Sequence, residues 1–210
     1  MAFFDEIAKQ AGQIITFTSV ATGEEVSFPA FISSFSDDYS VGWSGETVFG
    51  RTDPIKHYNS TTRRINASFD ILGKDLQTAV ENFQNYGRLI QMLYPVYSDA
   101  YEGENNSRTI KAAPLMRIKY CNYIKSLSTQ GGLLGCLSGL SFKPDFNAGH
   151  FFNDNDELVP IKYTATIVFE PLHERPLGYD ASGDFLEQTF PYNQEKDQRG
   201  KRKPGALKNI

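Results

Sequence analysis

Carboxylates crowded into Asp154-Asn155-Asp156-Glu157 are the first residues with a chemistry to test. Oxygen-rich runs of this kind can hold a hard cation, but this one lacks the glycine and the ligand spacing of a calcium loop. A solvated turn explains it as well, and the same holds for Asp37-Asp38. His57, beside Tyr58 and near Arg51, could move a proton near neutral pH; an exposed histidine at a strand end is the plainer reading. His57, His150 and His173 are scattered and show no metal-ligand spacing. Cys121 and Cys136 lie in apparent strands. They read as reduced, buried thiols, with a disulfide open only if those strands are neighbours. Gly131-Gly132-Leu133-Leu134-Gly135 lacks the lysine of a phosphate loop, and no nucleophile elbow occurs. No nucleophile, base and orienting group can be assembled from these motifs. The expectation is therefore a protein that is not an enzyme, with no cofactor and no metal.

Arginines beside aromatics suggest contact chemistry instead. The segment from Asp38 to Phe69 carries Trp43, Arg51, Tyr58, Arg63 and Arg64 within strongly β-patterned text. Guanidinium groups bind carboxylates in a bidentate fork, and protein interfaces are enriched in Trp, Tyr and Arg. These residues are expected either to pair with a neighbouring subunit or to form a solvated strand face. The tail from Gln194 is rich in lysine and arginine, including Lys201, Arg202 and Lys203. It reads as disordered, as an arm docked on an acidic neighbour, or as a DNA contact, the last disfavoured by Glu195 and Asp197.

The elements that would position these residues are mostly strands. Ile14–Thr18 is β-rich and ends before a Thr22-Gly23 turn. Val26-Ser27-Phe28 follows, and Pro29 marks an edge or a bulge. Turns are expected at Asp37-Asp38 and at Ser44-Gly45-Glu46, with a strand from Tyr39 to Trp43 between them and Thr47-Val48-Phe49 resuming one. In Arg64–Ile71 the residues Ile65, Ala67, Phe69 and Ile71 alternate with polar ones, the period of a half-buried strand. The period then changes. Leu76, Ala79, Val80, Phe83, Tyr86, Ile90 and Leu93 predict an amphipathic helix starting near Asp75 and ending before Pro95. Residues 2–11 could form a short helix. Pro95–Ile110 reads as an exposed loop. Leu115–Tyr123, Leu133–Phe142 and Pro160–Glu170 read as strands, the second with Leu134, Cys136, Leu140 and Phe142 on its apolar face.

The chain has 210 residues, 40% of them hydrophobic, and a net charge of −4. Near-balanced charge gives no general attraction to nucleic acid or membrane. The N-terminal residues have no basic region or apolar run and are not expected to act as a secretory signal. No stretch approaches the roughly 20 apolar residues of a spanning helix. One β domain is expected over residues 1–180, with residues 181–210 as an extended or disordered basic arm. Alternating strands around one helix give an α+β sandwich, whose edge strands leave backbone groups to be paired by sister molecules.

A family resemblance rests on ordered strings. They are Phe49-Gly50-Arg51-Thr52-Asp53-Pro54-Ile55 with Tyr58, Thr62, Arg64 and Ser68-Phe69-Asp70; Arg88-Leu89-Ile90-Gln91-Met92-Leu93-Tyr94-Pro95; Ala113-Pro114-Leu115; and His173-Glu174 with Leu177-Gly178. Together, over residues 30–180, they resemble tube-proximal baseplate proteins of contractile phage tails, of the tube-initiator or hub-adaptor type. The resemblance implies a mainly antiparallel β-sandwich or barrel of tail-tube type, with one flanking helix and extended arms. It implies a ring, often sixfold, whose partners are further copies of the chain, tail tube and baseplate hub proteins. It also implies a place in the virion after assembly in the host cytoplasm, with no membrane partner and with nucleic acid met only as genome passing through the lumen. Some relatives carry a LysM-type glycan-binding module. No segment after residue 180 is long enough to supply one, so that property is not carried over. A glycan-binding module of a phage or injection-machine particle, stacking sugars on Trp43 and tyrosines, is the alternative.

Overall fold

The computed structural model describes residues 13–98, 109–126, 131–152, 157–187 and 189–192. In chain order the described elements are β1 (Ile14–Ser19), β2 (Glu25–Pro29), β3 (Phe31–Glu46), β4 (Ile55–Leu72), α1 (Leu76–Gln91), β5 (Val96–Tyr97), β6 (Ile110–Ala112), β7 (Leu115–Tyr120), β8 (Leu133–Pro144), β9 (His150–Phe152), β10 (Leu158–Pro160) and β11 (Lys162–Pro171). The fold is α+β, mainly antiparallel sheet with a single α-helix among the described residues. The helix expected over residues 2–11 lies outside the described residues. So do Asp154 and Asp156, most of the loop expected between Pro95 and Ile110, and Lys201, Arg202 and Lys203. The described residues divide into two compact units, those within 1–29, 94–135 and 172–210 and those within 30–93 and 136–171.

In the first unit the strand order is β2, β1, β7 and the start of β8. Ile15 and Phe17 pair with Phe28 and Val26 on one side and with Tyr120 and Ile118 on the other. All six side chains are buried. Burying each large apolar side chain is worth roughly 1.5–3 kcal/mol. A one-residue slip would turn the whole set to water, so this face fixes the register. Gly23, at φ 73°, closes the β1–β2 turn, and its N–H donates to the Ser19 carbonyl at 2.9 Å. Pro29 ends β2, the edge strand, where a missing N–H costs no ladder bond.

In the second unit the order is the remainder of β8, then β11, β4 and β3. Ile65, Ala67, Phe69 and Ile71 of β4 face Phe169, Ile167, Ala165 and Tyr163 of β11 in register, and all are buried. The helix begins where Asp75 accepts a 2.7 Å hydrogen bond from the Thr78 N–H, as an N-cap does. Its buried stripe is Ala79, Asn82, Tyr86 and Leu89. That stripe is rotated from the one the sequence suggests, and Leu76, Phe83 and Ile90 are left about 40% exposed. Asn82 takes a buried place with its side-chain amide donating to the Leu72 carbonyl at 3.2 Å, while its backbone carbonyl accepts from the Tyr163 hydroxyl at 3.0 Å. Gly73 is required just before the helix, since a Cβ there would lie 2.5 Å from that of Ala79.

Several sequence expectations are corrected. Asp37-Asp38 and Ser44-Gly45-Glu46 lie inside β3, while Thr47-Val48-Phe49 falls in the β3–β4 loop. Turn-forming residues are tolerated in β3 because this part of the strand is not in a core. At the start of β8 it is Leu133 and Gly135 that are buried, not Leu134 and Cys136. Cys121 lies in a turn at φ 44°. Both cysteines are thiols and half-buried, and burial raises the Cys121 pKa.

Candidate functional site

The site is built by strand length. β11 pairs with β4 only as far as Ile65, while β4 extends back to Ile55 and β3 forward to Glu46. Residues 38–46 and 55–64 therefore form a two-stranded antiparallel ribbon beyond the part of the sheet in which β11 also pairs. Ten residues of extended chain reach about 30 Å. Almost every side chain of β4 from Ile55 to Thr62 is exposed. Among the described residues no strand pairs with either edge of this outer ribbon. A lone hairpin is at best marginal in water, and open edges are templates for pairing with another chain.

The two faces differ. Register places Tyr39 opposite Arg63, Val41 opposite Thr61 and, after a bulge at Gly42/Trp43, Trp43 opposite Tyr58. Trp43 and Tyr58 are 57% and 56% exposed, and their rings meet edge to face with centroids 5.7 Å apart. The other face is hydroxyl-rich, with Ser40 opposite Thr62, Gly42 opposite Ser60 and Ser44 opposite His57. At the apex Gly50 takes φ 83° and Phe49 is fully exposed. Arg51 is exposed in the same loop.

The arginines take three different positions. Arg63 is not on a solvated face. Its Nε and Nη2 donate to the two carboxylate oxygens of Asp37 at 2.8 and 2.7 Å, and the two side chains are only 2% and 3% exposed. Its guanidinium lies 5.5 Å from the centre of the Tyr39 ring, and the Tyr39 hydroxyl donates to Asp37 at 3.2 Å. Arg64 points to the opposite, open face and bonds Glu170 at 2.7 Å. The bonds from Arg64 and Ser138 hold the Glu170 carboxyl below its ordinary pKa. Arg51 makes no ion pair among the described residues. The structure thus brings Trp43 and Tyr58 together and places Arg63 at the ribbon's base, with Arg51 apart at the apex.

Sequence reasoning did not include Asp37, Tyr39, Val41 or Phe49 in this surface. The alternation of Tyr39, Val41 and Trp43 was a usable signal for the face. Nothing local signals the Asp37–Arg63 pair, which joins positions on two strands. Among the described residues no group of three or more His, Cys, Asp or Glu side chains could hold a metal ion, and no helix is long and apolar enough to cross a membrane.

No family model matches the chain. No curated protein matches its sequence. Among solved structures, a chain of one described as "Tail of empty GTA particle computed with helical refinement, C6 symmetry" aligns with a TM-score of 0.34 and 9% identity, over 81% of this chain and 97% of that chain. A score of this size does not establish a shared fold.

Proposed function

We propose that this chain is a non-enzymatic structural subunit of a contractile phage tail, at the junction of tube and baseplate, and that it works by assembling into a ring. The observation that carries the reading is the unsupported β3–β4 ribbon, with an aromatic face and two open edges. Such a ribbon is stabilised when another subunit covers its apolar face and completes its ladder. A contact of this kind joins unlike surfaces, so repetition closes a ring when the rotation is suitable. The ordered strings that resemble tube-proximal baseplate proteins support the same reading and suggest its setting. The subunit makes and breaks no covalent bond in this role, and its partners are sister copies, the tube and the hub.

Antibody labelling of purified tails, read by electron microscopy, tests the proposal. Label confined to the tube–baseplate end is the expected result. Tails that lack the chain altogether would overturn it. The second reading, glycan binding, draws on the exposed Trp43 and Tyr58. Their rings stand at 75° to each other, which gives a wedge and not the flat platform that stacks a sugar. Retention on peptidoglycan beads, lost in Trp43→Ser, would favour that reading.

A further inference from the structure

We propose that the Asp37–Arg63 pair is a register lock, which decides which face of the ribbon presents Trp43 and Tyr58. The inference concerns the ribbon's own geometry and holds for any partner the ribbon meets. Three observations carry it.

The first is the weakness of the register signal within the outer ribbon itself, where the Trp43–Tyr58 contact and exposed bonds such as Ser44 to Asn59 are what else crosses between the strands. Beyond Ile65 the ribbon has no core face, and serine, threonine and glycine fill one side of it. Strands of this composition are weakly specified and slip easily. The second is the interruption on both sides. Register shifts occur between Ile32 and Ser34 and again between Gly42 and Trp43. The pair therefore sits in the uninterrupted stretch between two irregularities. The third is the geometry. Arg63 lies opposite Tyr39 and reaches along the partner strand to Asp37 with both prongs of its fork. Tyr39 supplies a ring beside the guanidinium and a hydroxyl to the same carboxylate.

A one-residue slip would move Arg63 to the hydroxyl face and abandon all of these contacts. A two-residue slip that sets Ser40 opposite Arg64 would keep the face but put Arg63 opposite Val41, with Asp37 out of the fork's reach. A buried ion pair is poor evidence for stability, since apolar replacements of similar volume often do as well; fixing one arrangement among several is its better attested use. Trp43 and Tyr58 depend on this register directly, because a slip of one would place them on opposite sides of the ribbon.

Cysteine pairs read the register. In a background with Cys121 and Cys136 changed to serine, Ser40→Cys with Thr62→Cys reports the native register, and Ser40→Cys with Thr61→Cys or Arg64→Cys reports slips of one and two. With Asp37 and Arg63 present, only the native pair should close under mild oxidation. In Asp37→Leu/Arg63→Met, a pair of similar volume without charge, the slipped pairs should close too, and exclusivity is lost although the variant stays folded. Arg63→Lys keeps the charge but not the fork, and should show the same loss in smaller degree; it serves if the apolar variant does not fold. Exclusive closure of the native pair in either folded variant overturns the lock.

Discussion

Two arginines adjacent in sequence stand in opposite physical situations, and substitutions should separate them. Arg63 and Asp37 are almost wholly buried. Removing one partner leaves a charge without compensation, which costs about 3–5 kcal/mol. Asp37→Ala is therefore expected to lower unfolding free energy by about that amount in urea titrations. Arg64 and Glu170 are 59% and 44% exposed, where water screens the pair; Arg64→Gln should leave the urea midpoint almost unchanged. A second residue-scale prediction concerns alkaline pH. Burial pushes the Tyr86 hydroxyl up from 10.0 to about 12. The folded state thus holds this proton more tightly than the unfolded one. The contribution is full below about pH 10 and is lost as pH rises toward about 12. Tyr86→Phe should lose less stability than the native protein between pH 9 and pH 11, measured by urea midpoints. An equal loss in both would show that Tyr86 does not drive this limb.

At the scale of elements, α1 offers the clearest test. Hydrogen bonding from Thr78, first of all its backbone N–H, holds the Asp75 carboxyl below its ordinary 3.8. A depressed pKa means stabilisation that is present above the unfolded value and fades as pH falls through the folded one. Asp75→Ala should lower the melting temperature at pH 7, and the deficit should shrink below pH 3. Asp75→Asn should keep most of the stability at both pH values, since asparagine caps as well. The helix start near Asp75 was legible in the sequence, as were the strands Arg64–Ile71 and Pro160–Glu170, because one-sided burial prints a period of two or of 3.6 on the residues. Of the outer ribbon, Tyr39–Trp43 was legible as strand, but the unbroken length of β3 was not. Asp37-Asp38 and Ser44-Gly45-Glu46 carry no amphipathic signal and read as turns. The helix stripe was misjudged for a related reason. Asn82 is buried while Phe83 is exposed, and the bond that satisfies the Asn82 amide goes to the Leu72 carbonyl, which periodicity cannot see. Trp43 and Tyr58 were separately visible as candidates, but their contact depends on a bulge that only the paired strands reveal.

At the scale of the molecule, the buried residues and the proposed contact surface barely overlap. The core side chains of β4 begin at Ile65, apart from the Arg63 pair, whereas Val41, Trp43, Val48, Phe49, Ile55 and Tyr58 are all exposed. An apolar surface of this kind on one projection marks a contact site more readily than a folding requirement. Replacing residues 41–61 by Asn-Gly would join Ser40 to Thr62, a facing pair, through a two-residue turn that suits antiparallel strands. Asp37, Tyr39 and Arg63 would all remain. The shortened chain is expected to keep its circular dichroism spectrum and, within a few degrees, its melting temperature, while losing ring assembly in size-exclusion chromatography and negative-stain images. Loss of the fold would mean that the ribbon supports the core, against its exposure. Intact rings would mean that subunits meet through another surface, and the open edges of β3 and β4 would then need a different explanation.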